Sequence, residues 1–98
     1  MPEVIKYNAL STESLYMEIA DLCIPELKNK KIQINDFIDG IFNLIEHLQI
    51  PKNLKEVGIS KNDIPKLAED AMKQQRLLIN NPVKIDYKNA INIYEASF

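Results

Sequence analysis

Phe37, Ile38, Ile41, Phe42, Ile45 and Leu48 recur at i, i+1, i+4, i+5, i+8 and i+11. That spacing fits one face of an α-helix and no face of a strand, where side chains alternate every second residue. The spacing predicts a helix over about Ile34 to Leu48. Leu44 widens its apolar face, so burial on more than one side is expected and this helix should sit at the centre of the core. Gly40 inside it costs about 1 kcal/mol relative to alanine. A close helix crossing or simple tolerance would each account for it.

The same period runs through the rest of the chain. Val4, Ile5 and Tyr7 follow Pro2 in a short segment. Ser11 is suited to cap a second helix, with Leu15, Tyr16, Ile19, Ala20 and Cys23 as its apolar stripe. Ile24-Pro25 should end that helix, because the residue before proline is pushed out of the helical region. Lys28-Asn29-Lys30-Lys31 reads as a solvated connection. Ile50-Pro51 closes the central helix. Leu54-Lys-Glu-Val-Gly58 reads as one helical turn ended by a left-handed glycine. Asn62 or Asp63 should cap the next helix, with Pro65 in its first turn and Ile64, Leu67, Ala68, Ala71 and Met72 on its inner face. Asn80-Asn81-Pro82 is a break. Asp86 should cap a last helix carrying Tyr87, Ala90, Ile91 and Tyr94. No segment alternates cleanly enough for a strand. The expected fold is all-α, a bundle of about five helices, with residues 1–98 as one domain.

Composition narrows the function more than it identifies it. Ninety-eight residues carry a net charge of −2, with a pI near 5.3. Phosphate recognition needs a net basic surface, so nucleic acid is not an expected partner, nor is an anionic membrane surface. No apolar run approaches the roughly 18 residues of a membrane span. Met1-Pro2-Glu3 lacks the basic, then apolar, start of a secretory leader. A single cysteine excludes an internal disulfide, and the expected setting is a reducing cytoplasm. Two glycines, Gly40 and Gly58, cannot form a glycine-rich phosphate loop.

The residues that carry chemistry do not assemble into a site. His47 is the only histidine, so two-histidine metal motifs are excluded by count. Its neighbour Glu46 points about 100° away around a helix and cannot share its face. Cys23 on an apolar stripe reads as a small buried hydrophobe. Glu13, Glu18, Asp21 and Glu26 read as a wet helix face, and Asp36 and Asp39 as acids favoured by a helix N-terminus. Tyr7, Tyr16, Tyr87 and Tyr94 fit the edge of a core. From the residues alone there is no catalytic, cofactor-binding or metal-ligating set.

A resemblance adds what the residues do not. Leu48-Gln-Ile-Pro-Lys-Asn-Leu-Lys-Glu-Val-Gly58 resembles the "gIPxxLkelGv" stretch of the iron-dependent (group III) alcohol dehydrogenases. Asn62-Asp-Ile-Pro-Lys-Leu-Ala-Glu-Asp-Ala-Met72 is similar to their "edIpeLaedAm" helix. Arg76-Leu-Leu-Ile-Asn-Asn-Pro82 and Asp86-Tyr-Lys-Asn-Ala-Ile-Asn-Ile-Tyr94 resemble the family's closing "NPR" turn and "DaxxIY" helix. Pro2-Glu-Val-Ile-Lys-Tyr-Asn8 resembles the "LPxVmxyN" segment that follows the family's last histidine motif.

The resemblance covers nearly the whole chain in order. It implies part of the C-terminal helical domain of the dehydroquinate synthase-like, iron-containing alcohol dehydrogenase fold, and so a C-terminal piece of a two-domain enzyme. In such an enzyme an α/β domain binds NAD(P), and one aspartate and three histidines hold Fe2+ or Zn2+. The metal polarises the alcohol or carbonyl oxygen while hydride passes to or from the nicotinamide. None of those ligands maps onto this chain, and His47 matches none of them. The role implied is structural support and a possible wall of the substrate cleft, and these 98 residues alone are expected to be inactive. The implied partners are upstream helices and the NAD-binding domain, with self-association of the piece as a further possibility. Two positions depart from the family. Arg76 stands where a smaller residue is common, and Val83 where arginine usually follows Asn-Pro. If any residue here touches substrate it is Arg76 or its neighbours, the alternatives being that Arg76 lies on the helix surface or braces the Asn80-Asn81-Pro82 turn. A free-standing helical module that binds another protein through an apolar groove is the alternative function.

Overall fold

The computed structural model describes residues 2–23 and 33–98. Among these residues five α-helices appear in order: α1 (Pro2–Cys23), α2 (Ile34–His47), α3 (Ile64–Met72), α4 (Gln75–Leu78) and α5 (Tyr87–Ala96). Two 3-10 turns, Lys55–Val57 and Lys61–Asp63, stand between α2 and α3. No strand occurs among the described residues, so the all-α expectation holds. The chain divides into two compact units, Met1–Ile50 and Pro51–Phe98. The expected end of α1 at Ile24-Pro25 and the loop Lys28-Asn29-Lys30-Lys31 lie outside the described residues, as does Glu26.

In the first unit α1 packs against α2. Ile5, Ala20, Phe37 and Ile38 are buried together, with Tyr16, Met17, Ile34, Ile41 and Phe42 packed around them. Removing a side chain such as Phe37 or Ile38 from water stabilises by about 1.5–3 kcal/mol each. Tyr16 and Phe37 stack with ring centroids 6.1 Å apart. Lys6 lies over Phe42, 4.9 Å from the ring centre, while pairing with Glu3 at 3.1 Å. The period in α2 thus places the core correctly at its first turns. Its expected burial on a second side is not found, because Leu44 and Leu48 are exposed.

The expected division into a short segment and a second helix appears in α1 as a kink at Thr12, with φ −136° and ψ 21°. The break therefore falls one residue after the expected cap Ser11, which is exposed. Thr12 and Asn8 are buried polar residues, and the Thr12 hydroxyl donates to the Asn8 carbonyl at 3.0 Å. A threonine that bonds back one turn competes with the helical ladder and bends it. Of the expected inner stripe, Tyr16 and Ala20 do pack, together with Ile5 and Met17, whereas Leu15 and Ile19 are exposed.

α2 opens with the Gln33 N–H donating to the Asp36 carboxylate at 2.8 Å, so Asp36 works as a cap as well as near the dipole. It closes with Gln49 in the left-handed region, φ 55°. The Gln49 N–H reaches the Glu46 carbonyl and the Ile50 N–H the Ile45 carbonyl. That pair of bonds is the Schellman ending, normally built on glycine.

The second unit is organised by caps. Gly58 takes φ 83° and its N–H donates to the Lys55 carbonyl, as its place in the sequence predicts. The Asp63 carboxylate accepts from the Ser60 N–H at 2.9 Å and its hydroxyl at 2.7 Å. Asp63 stands at the N-cap of α3 as expected, but its carboxylate reaches back to Ser60, the cap of the 3-10 turn before it, instead of capping α3. Asp86 caps α5 as expected: its carboxylate accepts from the Asn89 N–H at 2.8 Å, and the Asn89 side chain accepts from the Asp86 N–H at 3.0 Å. α3 packs against α5. Ile64, Ala68 and Ala90 are buried, and the two alanines let the helix backbones come close. The Leu54 N–H donates to the Ser97 carbonyl at 2.8 Å, tying the start of the unit to its end.

Candidate substrate-facing segment and family

Arg76 lies on α4, a single helical turn. Gln74 leaves the helical region, with ψ 49°, and separates α4 from α3. The Gln75 amide bridges the gap by donating to the Met72 carbonyl at 2.7 Å. Beyond α4 the Asn80 amide donates to the Arg76 carbonyl at 3.1 Å, and the Asn81 amide to the Val83 carbonyl. Asn80 and Asn81 thus satisfy the carbonyls of a chain that Pro82 prevents from continuing as helix. The result is a braced turn that displays Arg76 together with the exposed side chains of Leu77 and Ile79.

An exposed guanidinium offers a permanent positive charge and a planar fork of donors suited to carboxylate, phosphate or sulfonate oxygens. Just before α4 in the chain, Lys73 pairs with Asp70 at 2.7 Å. That bond and charge hold the Asp70 carboxyl below its usual range and the Lys73 ammonium above its own. Both are exposed, so this is a surface ion pair with little weight in stability.

The other residues singled out stay dispersed. His47 is exposed at the end of α2, and Glu13, Glu18, Asp21, Asp36 and Asp39 are exposed. Tyr7, Tyr16 and Tyr94 are half-buried, in keeping with core-edge positions, whereas Tyr87 is exposed. Cys23 closes α1. Among the described residues no three histidine, cysteine, aspartate or glutamate side chains converge where they could hold a metal ion. The donor set therefore does not fit the iron or zinc site that the resemblance implies, nor do two glycines fit a dinucleotide loop. No helix of the described residues is long and apolar enough to cross a membrane. The polar pair Asn8 and Thr12, buried at the break in α1, carried no sequence signal beyond two ordinary surface-type residues.

Comparison with known proteins gives these helices a context. The model of the Fe-containing alcohol dehydrogenase family, C-terminal, matches residues 1–98. Lactaldehyde reductase of Escherichia coli (strain K12) is 27% identical over 100 residues, covering all of this chain and 26% of that protein. Sulfoacetaldehyde reductase of Bilophila wadsworthia is 25% identical over 101 residues, covering 99% of this chain and 26% of that protein. The chain thus spans about a quarter of the length of the curated relatives it matches. No solved structure is a significant match. With a match that runs from the first residue to the last, on an all-helical chain, these 98 residues belong to the Fe-containing alcohol dehydrogenase family as its C-terminal part.

Proposed function

We propose that the chain is the C-terminal helical part of a metal-dependent, NAD(P)-linked oxidoreductase acting on alcohols and aldehydes. The observation that carries this reading is the family match across residues 1–98. Both named relatives are reductases of short aldehydes with a polar group on the neighbouring carbon, and the substrate class proposed is the same. In such an enzyme the metal supplies a Lewis acid that polarises the reacting oxygen, and the nicotinamide supplies or takes the hydride. Among the described residues no cluster of histidine, cysteine, aspartate or glutamate would hold the metal, and the proposal assigns both groups to the portion that the relatives have in addition. The work of these helices is structural: α3 and α5 pack together as a platform, and α4 with the braced turn that follows it forms part of the cleft wall, with Arg76 at its surface. The enzyme's cytoplasmic setting and its contact with upstream helices and a nucleotide-binding domain are part of the same proposal.

A chimera tests it. The C-terminal quarter of E. coli lactaldehyde reductase is replaced by these 98 residues, and aldehyde reduction is followed by nicotinamide absorbance. A folded, metal-loaded chimera with measurable turnover supports the reading. Arg76→Ala in it should raise KM, with kcat less affected, if Arg76 faces substrate. Turnover by the 98 residues alone, with iron and nicotinamide supplied, would overturn the structural role.

A further inference from the structure

Between Asp70 and Asp86 the chain holds Lys73, Arg76 and Lys84 and no acidic residue. In a chain of net charge −2 this is a local positive stretch, and it contains α4 and its braced turn. Lys73 is held by Asp70 at 2.7 Å, which offsets its charge. The Arg76 guanidinium is exposed, and among the described residues it has neither a carboxylate partner nor a side-chain hydrogen bond. The backbone that carries it is fixed on both sides. The Leu78 and Ile79 N–H groups donate to the Gln74 and Gln75 carbonyls at 3.1 and 3.0 Å, and the Asn80 amide holds the carbonyl of Arg76 itself. Ile79, three residues on and still in helical conformation, shares the Arg76 face of the turn and is 82% exposed. An aliphatic side chain beside a guanidinium displaces water from whatever binds there, which strengthens the charge-assisted bonds it forms.

Resting on the reading above that α4 and its turn line the cleft, we propose that Arg76 sets the charge of the substrate. The enzyme takes short aldehydes that bear a sulfonate or carboxylate on the carbon beside the carbonyl, in preference to neutral ones. The guanidinium donates through paired N–H groups to two oxygens of that anion. The acid-free stretch around it keeps the local field positive, so no carboxylate of the same segment competes for the fork. A neutral aldehyde in the same place leaves the positive charge uncompensated as water is displaced. Arg76 reads the end of the substrate away from the reacting carbonyl. It therefore binds ground state and transition state alike and acts through KM more than through kcat.

The experiment assays the chimera described above with three aldehydes of similar size: sulfoacetaldehyde, malonate semialdehyde and lactaldehyde. The two anions should be reduced with the higher kcat/KM. Arg76→Ala should lower kcat/KM for both by about 10–100-fold, mainly through KM, as expected for the loss of hydrogen bonds to a charged group. Reduction of lactaldehyde should hardly change. Arg76→Lys keeps the charge without the fork and should fall between the two, and the anion that loses more is the one the fork fits better. Lys73→Ala, which removes a cation already engaged by Asp70, is the control for a general field and should leave the ratio between anionic and neutral substrates unchanged. An active chimera in which Arg76→Ala slows all three aldehydes equally, or none, overturns the inference while leaving the family reading intact. So does a ratio that shifts as much in Lys73→Ala as in Arg76→Ala, since the field and not the fork would then read the anion. A chimera that folds but reduces none of the three counts against the family reading, and this inference falls with it.

Discussion

Replacing Gln49 by glycine should stabilise the first unit. Gln49 sits at φ 55° to end α2, where a side chain with a Cβ crowds the carbonyl oxygen. That crowding costs roughly 1–2 kcal/mol. Glycine removes it, but glycine also has more backbone freedom to lose on folding, which returns about 0.5–1 kcal/mol. The two hydrogen bonds of the ending, Gln49 to Glu46 and Ile50 to Ile45, are main-chain bonds and survive the change. The net gain is about 0.5–1 kcal/mol, and for a domain of this size each kcal/mol moves the melting temperature by about 4–8 °C. A rise of about 2–8 °C is expected, with the urea midpoint higher and the slope unchanged. Gln49→Asn should fall between the two, because asparagine tolerates the left-handed region better than glutamine. Gly58→Ala is the reciprocal test. Gly58 has φ 83°, and an added Cβ would meet nothing within 4 Å, so its cost is purely that of the backbone. It should destabilise by the same amount that Gln49→Gly stabilises. A loss of stability in Gln49→Gly, or the same sign for both changes, would refute the reasoning.

Three other outcomes follow from geometry. Asp86→Ala removes the acceptor that holds the Asn89 N–H and should cost about 1 kcal/mol by denaturant titration, whereas Asp86→Asn keeps an acceptor and should cost only a few tenths; equal losses would mean that charge rather than capping matters. Ala68 is fully buried where α3 meets α5, so Ala68→Leu should destabilise by about 1–3 kcal/mol through overpacking, and a neutral melt would show the helices to be further apart than described. The Ser60 hydroxyl and N–H hold the Asp63 carboxyl below its usual value of 3.8. A lowered folded value means that this contribution is complete above the unfolded pKa and fades as pH falls through the folded one. Ser60→Ala should therefore lessen the loss of stability on acidification, and a pH–stability curve unchanged in the acid range would contradict that assignment.

Where the fold was legible, a residue type had only one use. Gly58 has no competitor as a left-handed terminator, and Asp86 followed three residues later by Asn89 spells a reciprocal cap. Gln49 does the same work as Gly58 with a residue that advertises nothing. Ser60 is hard to read as a cap because Asn62 and Asp63 stand closer to the apolar run, and helical spacing does not say how many residues of 3-10 turn precede the helix. Leu15 and Ile19 show a different limit. Period tells which residues share a face, but not whether anything lies opposite. The candidate site was the least legible part: an exposed arginine on a braced turn has the same sequence signature whether it meets substrate or water. There the resemblance to the family contributed what periodicity could not.

The bond from the Leu54 N–H to the Ser97 carbonyl bears on how the second unit comes apart. Helix ends ordinarily fray one residue at a time, at almost no free-energy cost. Here the last turn is fastened to the first, so peeling α5 away from its C-terminal side also releases the segment that leads through Gly58 into α3. Opening either end loosens the other, and partial states are suppressed on both sides. Amide exchange at Leu54 and along α5 should accordingly report one shared event rather than a gradient, which makes these forty-odd residues a single cooperative foldon despite their small core.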